Sequence, residues 1–275
     1  STISNLCVGT YTITLNDKNE CIFTDDITVT QPLVLLPNGQ STNILCFGSC
    51  NGSASVAPTG GTVPYTYLWM PGGATTSSVT GLCAPSSYTC TIIDKNGCTT
   101  AYTASITQSS ELTVNVTGTN LLCNGVCSGS ATAIASGGTA PYTYLWAPGG
   151  ATTSAISGLC AGTYSVTVMD VNGCNKSTFV TITQPPVLDG TITKNDVTCN
   201  GLCDGDATAV PIGGTPPYRY LWSNGQTTQT ITGLCAGTYS ILGTDANGCI
   251  KTGTVTITQP PLLTVTLSKT DVTCN

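Results

Sequence analysis

Four families of cysteine recur along the chain at steps of 75 to 77 residues. The first family is Cys46, Cys123, Cys199 and Cys274, and the second is Cys50, Cys127 and Cys203. The third is Cys7, Cys83, Cys160 and Cys235, and the fourth is Cys21, Cys98, Cys174 and Cys249. A fixed period of this length means that one supersecondary unit is written several times in series, each unit leaning on its neighbours. Other phrases keep the same beat: GGTVPYTYLW from Gly60, GGTAPYTYLW from Gly137 and GGTPPYRYLW from Gly213, then DKNGC, DVNGC and DANGC. The division that follows is 1–32 as the C-terminal part of one repeat, 33–108, 109–184 and 185–259 as complete repeats, and 260–275 as the N-terminal part of the next. The chain therefore reads as a slice of a longer array.

Each unit reads as strands. Tyr164, Val166 and Val168 alternate with Ser165 and Thr167, and Val255 and Ile257 alternate with Thr254, Thr256 and Thr258. Period two with β-branched residues marks half-buried antiparallel strands. Gly-Gly before Thr139, Pro148-Gly149-Gly150 and Asp170-x-Asn172-Gly173 mark the turns between them. Six strands per unit are clear, with room for a seventh after the tryptophan. The expected fold is all-β: a tandem array of immunoglobulin-like antiparallel β-sandwich repeats, disulfide-stapled, forming a rod or filament.

Composition narrows the function. Charged residues make up only 7% of the chain and the net charge is −6, which disfavours nucleic acid as a partner. No apolar run approaches the roughly 20 residues needed to cross a bilayer, so no membrane span is expected in this window. Histidine is absent and carboxylates are sparse, which leaves no inventory for proton transfer, and neither an enzyme nor a cofactor is expected.

The linked phrases CNGxCxGxA, GGTxPYxYLW, GLCAGTYS and DxNGC followed by TITQP resemble the SprB-type repeat of very large cell-surface gliding adhesins of the Bacteroidota. The resemblance covers essentially the whole chain. It implies a secreted, filament-forming surface adhesin, exported by the type IX route and moved along the cell in gliding species. The partners implied are neighbouring repeats of the same chain, other copies of the filament and surface polysaccharide. The second and third cysteines make this chain more heavily stapled than the family's simpler units.

The cysteines admit three chemistries. As a zinc site, Cys123-x3-Cys127 has a tolerable first pair, but the third and fourth cysteines lie 14 apart and make no second knuckle. As nucleophiles they lack a base. As disulfides they suit a small exported sandwich whose core is marginal by itself. Between Cys160 and Cys174 runs one full strand, which separates them by roughly 20 Å, so third and fourth sit at opposite poles and do not bond. With the first and second cysteines in one loop at the pole of the third, the expected bonds within a repeat are Cys50 with Cys83, Cys127 with Cys160, and Cys203 with Cys235. The first and fourth families leave two schemes. One joins adjacent repeats, as Cys46 with Cys174 and Cys123 with Cys249. The other joins first to fourth inside a repeat, as Cys123 with Cys174. Cys98 and Cys199 belong to the same scheme, whichever holds. Cys7, Cys21 and Cys274 have partners outside the window or unknown. Cys90 takes the slot held by Ile13, Val166 and Ile241, and is expected to be unpaired and buried.

Two other patterns carry alternatives. Asp94, Asp170 and Asp245 each open Asp-x-Asn-Gly, the letters of a calcium half-loop, but the distal bidentate Glu is missing and a hairpin turn explains them; Asp204 and Asp206 add oxygens in one unit only. No metal site is expected. Tyr142, Tyr144 and Trp146, with their equivalents, describe either the inner face of a central strand or a sugar-binding platform. The function expected is a structural stalk of a surface adhesin. The alternatives are glycan-binding modules acting by avidity and a laterally self-assembling extracellular fibre.

Overall fold

Threonine, valine, isoleucine and tyrosine at alternate positions fit a pleated surface buried on one side, and glycine-rich turns break the chain before any helix can propagate. The computed structural model describes residues 2–271. Among them are twenty strands and no helix. The described chain forms two compact units. One comprises the residues up to Thr113 with Gly137–Pro141 and Asp170–Cys174, and the other comprises Val114–Ser136, Tyr142–Met169 and the described residues from Asn175 on.

The first unit opens with a hairpin, β1 (Gly9–Asn16) and β2 (Ile22–Val29), paired from Gly9 opposite Val29 to Asn16 opposite Ile22. Six strands follow: β3 (Gly39–Thr42), β4 (Gly52–Val56), β5 (Thr66–Met70), β6 (Ser78–Leu82), β7 (Ser86–Ile93) and β8 (Thr99–Ile106). They make two three-stranded sheets, β3-β4-β6 and β5-β7-β8. Alternate residues of both sheets meet in one core of Ala54, Val56, Trp69, Cys90, Ile92 and Ile106. The segment between Trp69 and β6 is a turn closed by Gly73 N–H on the Trp69 carbonyl, and adds no seventh strand among the described residues.

The second unit writes the plan twice. The strands β9 (Thr113–Thr119), β10 (Gly129–Ser136), β11 (Thr143–Ala147), β12 (Ala155–Leu159), β13 (Gly162–Met169) and β14 (Asn175–Ile182) form the sheets β9-β10-β12 and β11-β13-β14. The strands β15 (Asp189–Asn195), β16 (Gly205–Ile212), β17 (Arg219–Trp222), β18 (Thr230–Leu234), β19 (Gly237–Thr244) and β20 (Ile250–Ile257) form β15-β16-β18 and β17-β19-β20. Trp146 and Trp222 centre the two cores.

The fold positions the cysteines through register. β10 meets β12 with Gly129 opposite Leu159, and the register slips by a bulge at Gly129/Ser130. A Cβ at Gly129 would press on the Leu159 carbonyl and on Ile182, so only glycine lets the strands close there. Cys127 and Cys160 flank that closure. The same slip stands at Gly52/Ser53 and Gly205/Asp206.

Candidate functional site

The site is the set of sulfur bridges and the side chains that hold their loops. At one pole of each repeat, second and third cysteines bond: Cys50 with Cys83, Cys127 with Cys160 and Cys203 with Cys235, with Cα separations of 4.1, 4.0 and 3.8 Å. A tyrosine braces each corner. The Tyr164 hydroxyl donates to the Cys160 carbonyl at 3.1 Å, Tyr239 does the same to Cys235, and Tyr11 to Cys7. A phenol reaching back to the backbone a few residues upstream is the tyrosine corner of immunoglobulin sandwiches.

The first cysteine sits in the same loop, and the strand-ending TITQP phrase of its own repeat holds it. Gly125 N–H donates to Gln184 Oε1 at 2.9 Å, and Asn124 Nδ2 donates to the Pro185 carbonyl at 2.8 Å. Gly201 with Gln259 and Asn200 with Pro260 repeat both bonds. The sequence phrases do not by themselves reveal this clasp, because its partners lie about 60 residues apart. Its signal was the constant company that Asn-Gly after a first cysteine keeps with Gln-Pro.

At the other pole the fourth cysteine follows a buried aspartate. Asp170 Oδ1 accepts N–H groups from Asn172 and Cys174, both at 2.9 Å, while Oδ2 accepts Thr139 N–H at 2.9 Å. Asp94 and Asp245 make the same three bonds. Burial alone would raise the Asp94 carboxyl, but the N–H groups of Thr62, Cys98 and Asn96 outweigh it and hold it below its ordinary value. These carboxylates spend their oxygens on the main chain as structural turn acceptors. Asp206 is likewise bound by Asn195 Nδ2, and Asp204 by the backbone and hydroxyl of Thr198.

First and fourth cysteines join across consecutive repeats. Cys46 bonds Cys174 with Cα atoms 5.5 Å apart, and Cys123 bonds Cys249 at 5.6 Å. Both separations lie in the ordinary disulfide range. Asn247 Nδ2 adds a bond to the Leu122 carbonyl at 3.0 Å beside the second bridge. Since Cys123 is bonded to Cys249, the alternative of Cys123 with Cys174 is not formed. Cys98 and Cys199 correct the expectation that placed them among the staples: both are exposed and unpaired. In the pairing that the other four adopt, a first cysteine takes the fourth of the following repeat, and neither has such a counterpart within the 275 residues. Cys7 and Cys21 are also exposed and unpaired, and Cys274 lies outside the described residues.

Cys90 is buried and unpaired, opposite Trp69 on the neighbouring strand, and burial pushes its thiol up. Trp69, Trp146 and Trp222 are only 1%, 1% and 2% exposed, which corrects the platform alternative for the tryptophans. Each indole N–H is spent inside, on the carbonyls of Thr76, Thr153 and Thr228.

The family model described as SprB repeat matches residues 38–74, 115–151 and 191–227. The chain carries three SprB repeats. Each matched stretch runs from the first strand of the repeat through the tryptophan turn, so it holds the first and second cysteines and stops short of the third and fourth. No curated protein sequence matches the chain. Among solved structures, Sidekick-1 immunoglobulin domains 1–5 align at 12% identity over 92% of this chain and 66% of that one, with a TM-score of 0.39. The N-terminal eight Ig domains of Down Syndrome Cell Adhesion Molecule align at 10% over 94% and 44%, with a TM-score of 0.38. A bacterial ice-binding adhesin of 1.5 MDa, solved for its host cell surface retention, aligns at 14% over 83% of this chain and 98% of that one, with a TM-score of 0.42. The SprB-repeat chain thus spans less than two thirds of the first two neighbours.

Proposed function

We propose that this chain is a length of structural stalk in a large secreted cell-surface adhesin. The observation that carries the reading is the twice-repeated bond from a first cysteine to the fourth cysteine of the next repeat. A load entering one repeat then reaches the next through sulfur as well as through the main chain. Within each repeat the second-to-third bridge locks 32 or 33 residues against extension. Disulfides in this number belong to an oxidising compartment, which supports an extracellular surface location. The family resemblance adds type IX export and, in gliding species, movement of the filament along the cell.

Single-molecule stretching tests the mechanical role. Without reductant the repeats should yield far less than the roughly 3.6 Å per residue of a free chain, and reductant should release the remainder. Equal extension in both conditions would remove the role.

A further inference from the structure

One inward position separates the third complete repeat from the other two. β7 and β13 place Ile92 and Val168 there, both fully buried, whereas β19 has Gly243. Register equates the three, with Ile92 opposite Thr100, Val168 opposite Lys176 and Gly243 opposite Lys251. A second glycine, Gly253, replaces Tyr102 and Thr178, but that exchange is compensated. The Tyr102 ring lies over Gly39, while in the third repeat Ile192 stands in the place of Gly39 and its Cδ1 comes within 3.2 Å of where a Gly253 Cβ would be. Gly243 has no such compensation: the nearest atom to a Cβ there is the Lys251 carbonyl oxygen, 3.5 Å away.

The result is a cavity of about 60 Å³ lined by Ile192, Ala209, Pro211, Tyr218, Tyr220 and Ile241. The sandwich does not require it, since valine fills the slot in the middle repeat, and an unfilled hole costs stability. Its rim is polar and electrically balanced, because Lys251 Nζ pairs with Asp189 Oδ1 at 3.1 Å with both side chains half exposed. The Tyr220 hydroxyl has no hydrogen-bond partner among the described residues, and burial, then the neighbouring Tyr218, keeps it protonated by pushing it up. A void of roughly two water volumes accepts a methyl group and excludes a ring. A neutral rim of paired charge and hydroxyls suits a neutral polyol in place of an ion.

We propose that the third repeat binds a neutral, methyl-bearing sugar residue, with the methyl beside Gly243 and the hydroxyls on Asp189, Lys251 and Tyr220. The methyl can belong to a 6-deoxyhexose or to an N-acetylhexosamine. The site goes beyond the stalk reading and does not rest on it.

Saturation-transfer NMR on the whole chain, with L-rhamnose, N-acetyl-D-glucosamine and D-glucose as probes, tests this. Transfer to the methyl protons of at least one of the first two is expected, with none to glucose, and the responding sugar identifies the source of the methyl. Gly243→Val should raise the thermal midpoint while weakening binding about tenfold or more. Tyr220→Phe, which keeps the ring, should weaken it severalfold. Absence of transfer from every sugar, an equal response to glucose, or full binding by both variants would overturn the proposal.

Discussion

Asp170 accepts the backbone N–H of Cys174 at 2.9 Å, and that cysteine carries the bond to Cys46 in the preceding repeat. A buried carboxylate thus sets the main chain of a disulfide partner before the sulfurs meet. An ionised carboxylate is suited to the task because both oxygens only accept, and three N–H groups converge on them here.

Asp170→Asn keeps the size but turns one oxygen into an NH2 group. If the remaining oxygen keeps the N–H groups of Asn172 and Cys174, the amide faces the Thr139 N–H and leaves it unsatisfied. The expected loss is about 2 kcal/mol in guanidinium unfolding, the scale of a buried donor left without its acceptor. Oxidative refolding should also give less Cys46–Cys174 bridge by non-reducing peptide mapping. Unchanged stability and yield would make the turn indifferent to its carboxylate.

Acid should loosen the repeats in a defined window. Asp196 is held down to about 2 from 3.8, first by Lys194 and then by the Thr258 N–H. A carboxylate lowered in the folded state stabilises it fully above the unfolded value and loses that contribution as pH falls through the folded one. Asp94 is lowered in the same direction. Thermal midpoints should therefore hold down to about pH 4 and fall between about pH 4 and 2. Asp196→Asn should flatten part of that fall.

The fold was legible because period-two alternation and the 75–77-residue beat are local, one-dimensional signals. Opposite poles for Cys160 and Cys174 followed from the strand between them, β13, whose length alone keeps them apart. What stayed hidden were bonds made by side chains far apart in sequence. Asp170 looked like a local turn residue, yet its second oxygen serves Thr139, 31 positions upstream. Gln184 closes a strand phrase in the sequence, yet its side chain holds Gly125, 59 positions upstream. Cys90 was readable as a core residue because it replaces Val166 and Ile241 in alternation with threonines.

Thiol chemistry should separate three kinds of cysteine. In the native, unreduced chain, iodoacetamide should label Cys98 and Cys199, which are exposed, and should reach buried Cys90 only after unfolding. Replacing Cys46 and Cys174 by serine opens a loop of 128 residues that also contains two inner bridges. The chain-entropy model puts the cost at about 4 kcal/mol. Mass spectrometry of the labelled peptides and denaturant unfolding of the double variant check the two statements.

Two glycines of the middle repeat share a left-handed backbone but not their surroundings, so they divide strain from overlap. Gly137 has φ of 72° and Gly150 has φ of 68°. A Cβ at Gly150 meets nothing within 4 Å, whereas one at Gly137 would overlap the Glu111 carbonyl. Alanine at Gly150 should therefore cost only the conformational penalty, about 1 kcal/mol. Alanine at Gly137 pays that and must also push the Glu111 backbone away from the turn that Asp170 holds, for about 3 kcal/mol in all. Guanidinium unfolding of the two variants side by side measures the difference. Equal costs would mean that the Gly-Gly phrase is kept for its dihedral angles alone, and a larger cost at Gly137 that it is also kept for the close approach of the entering strand.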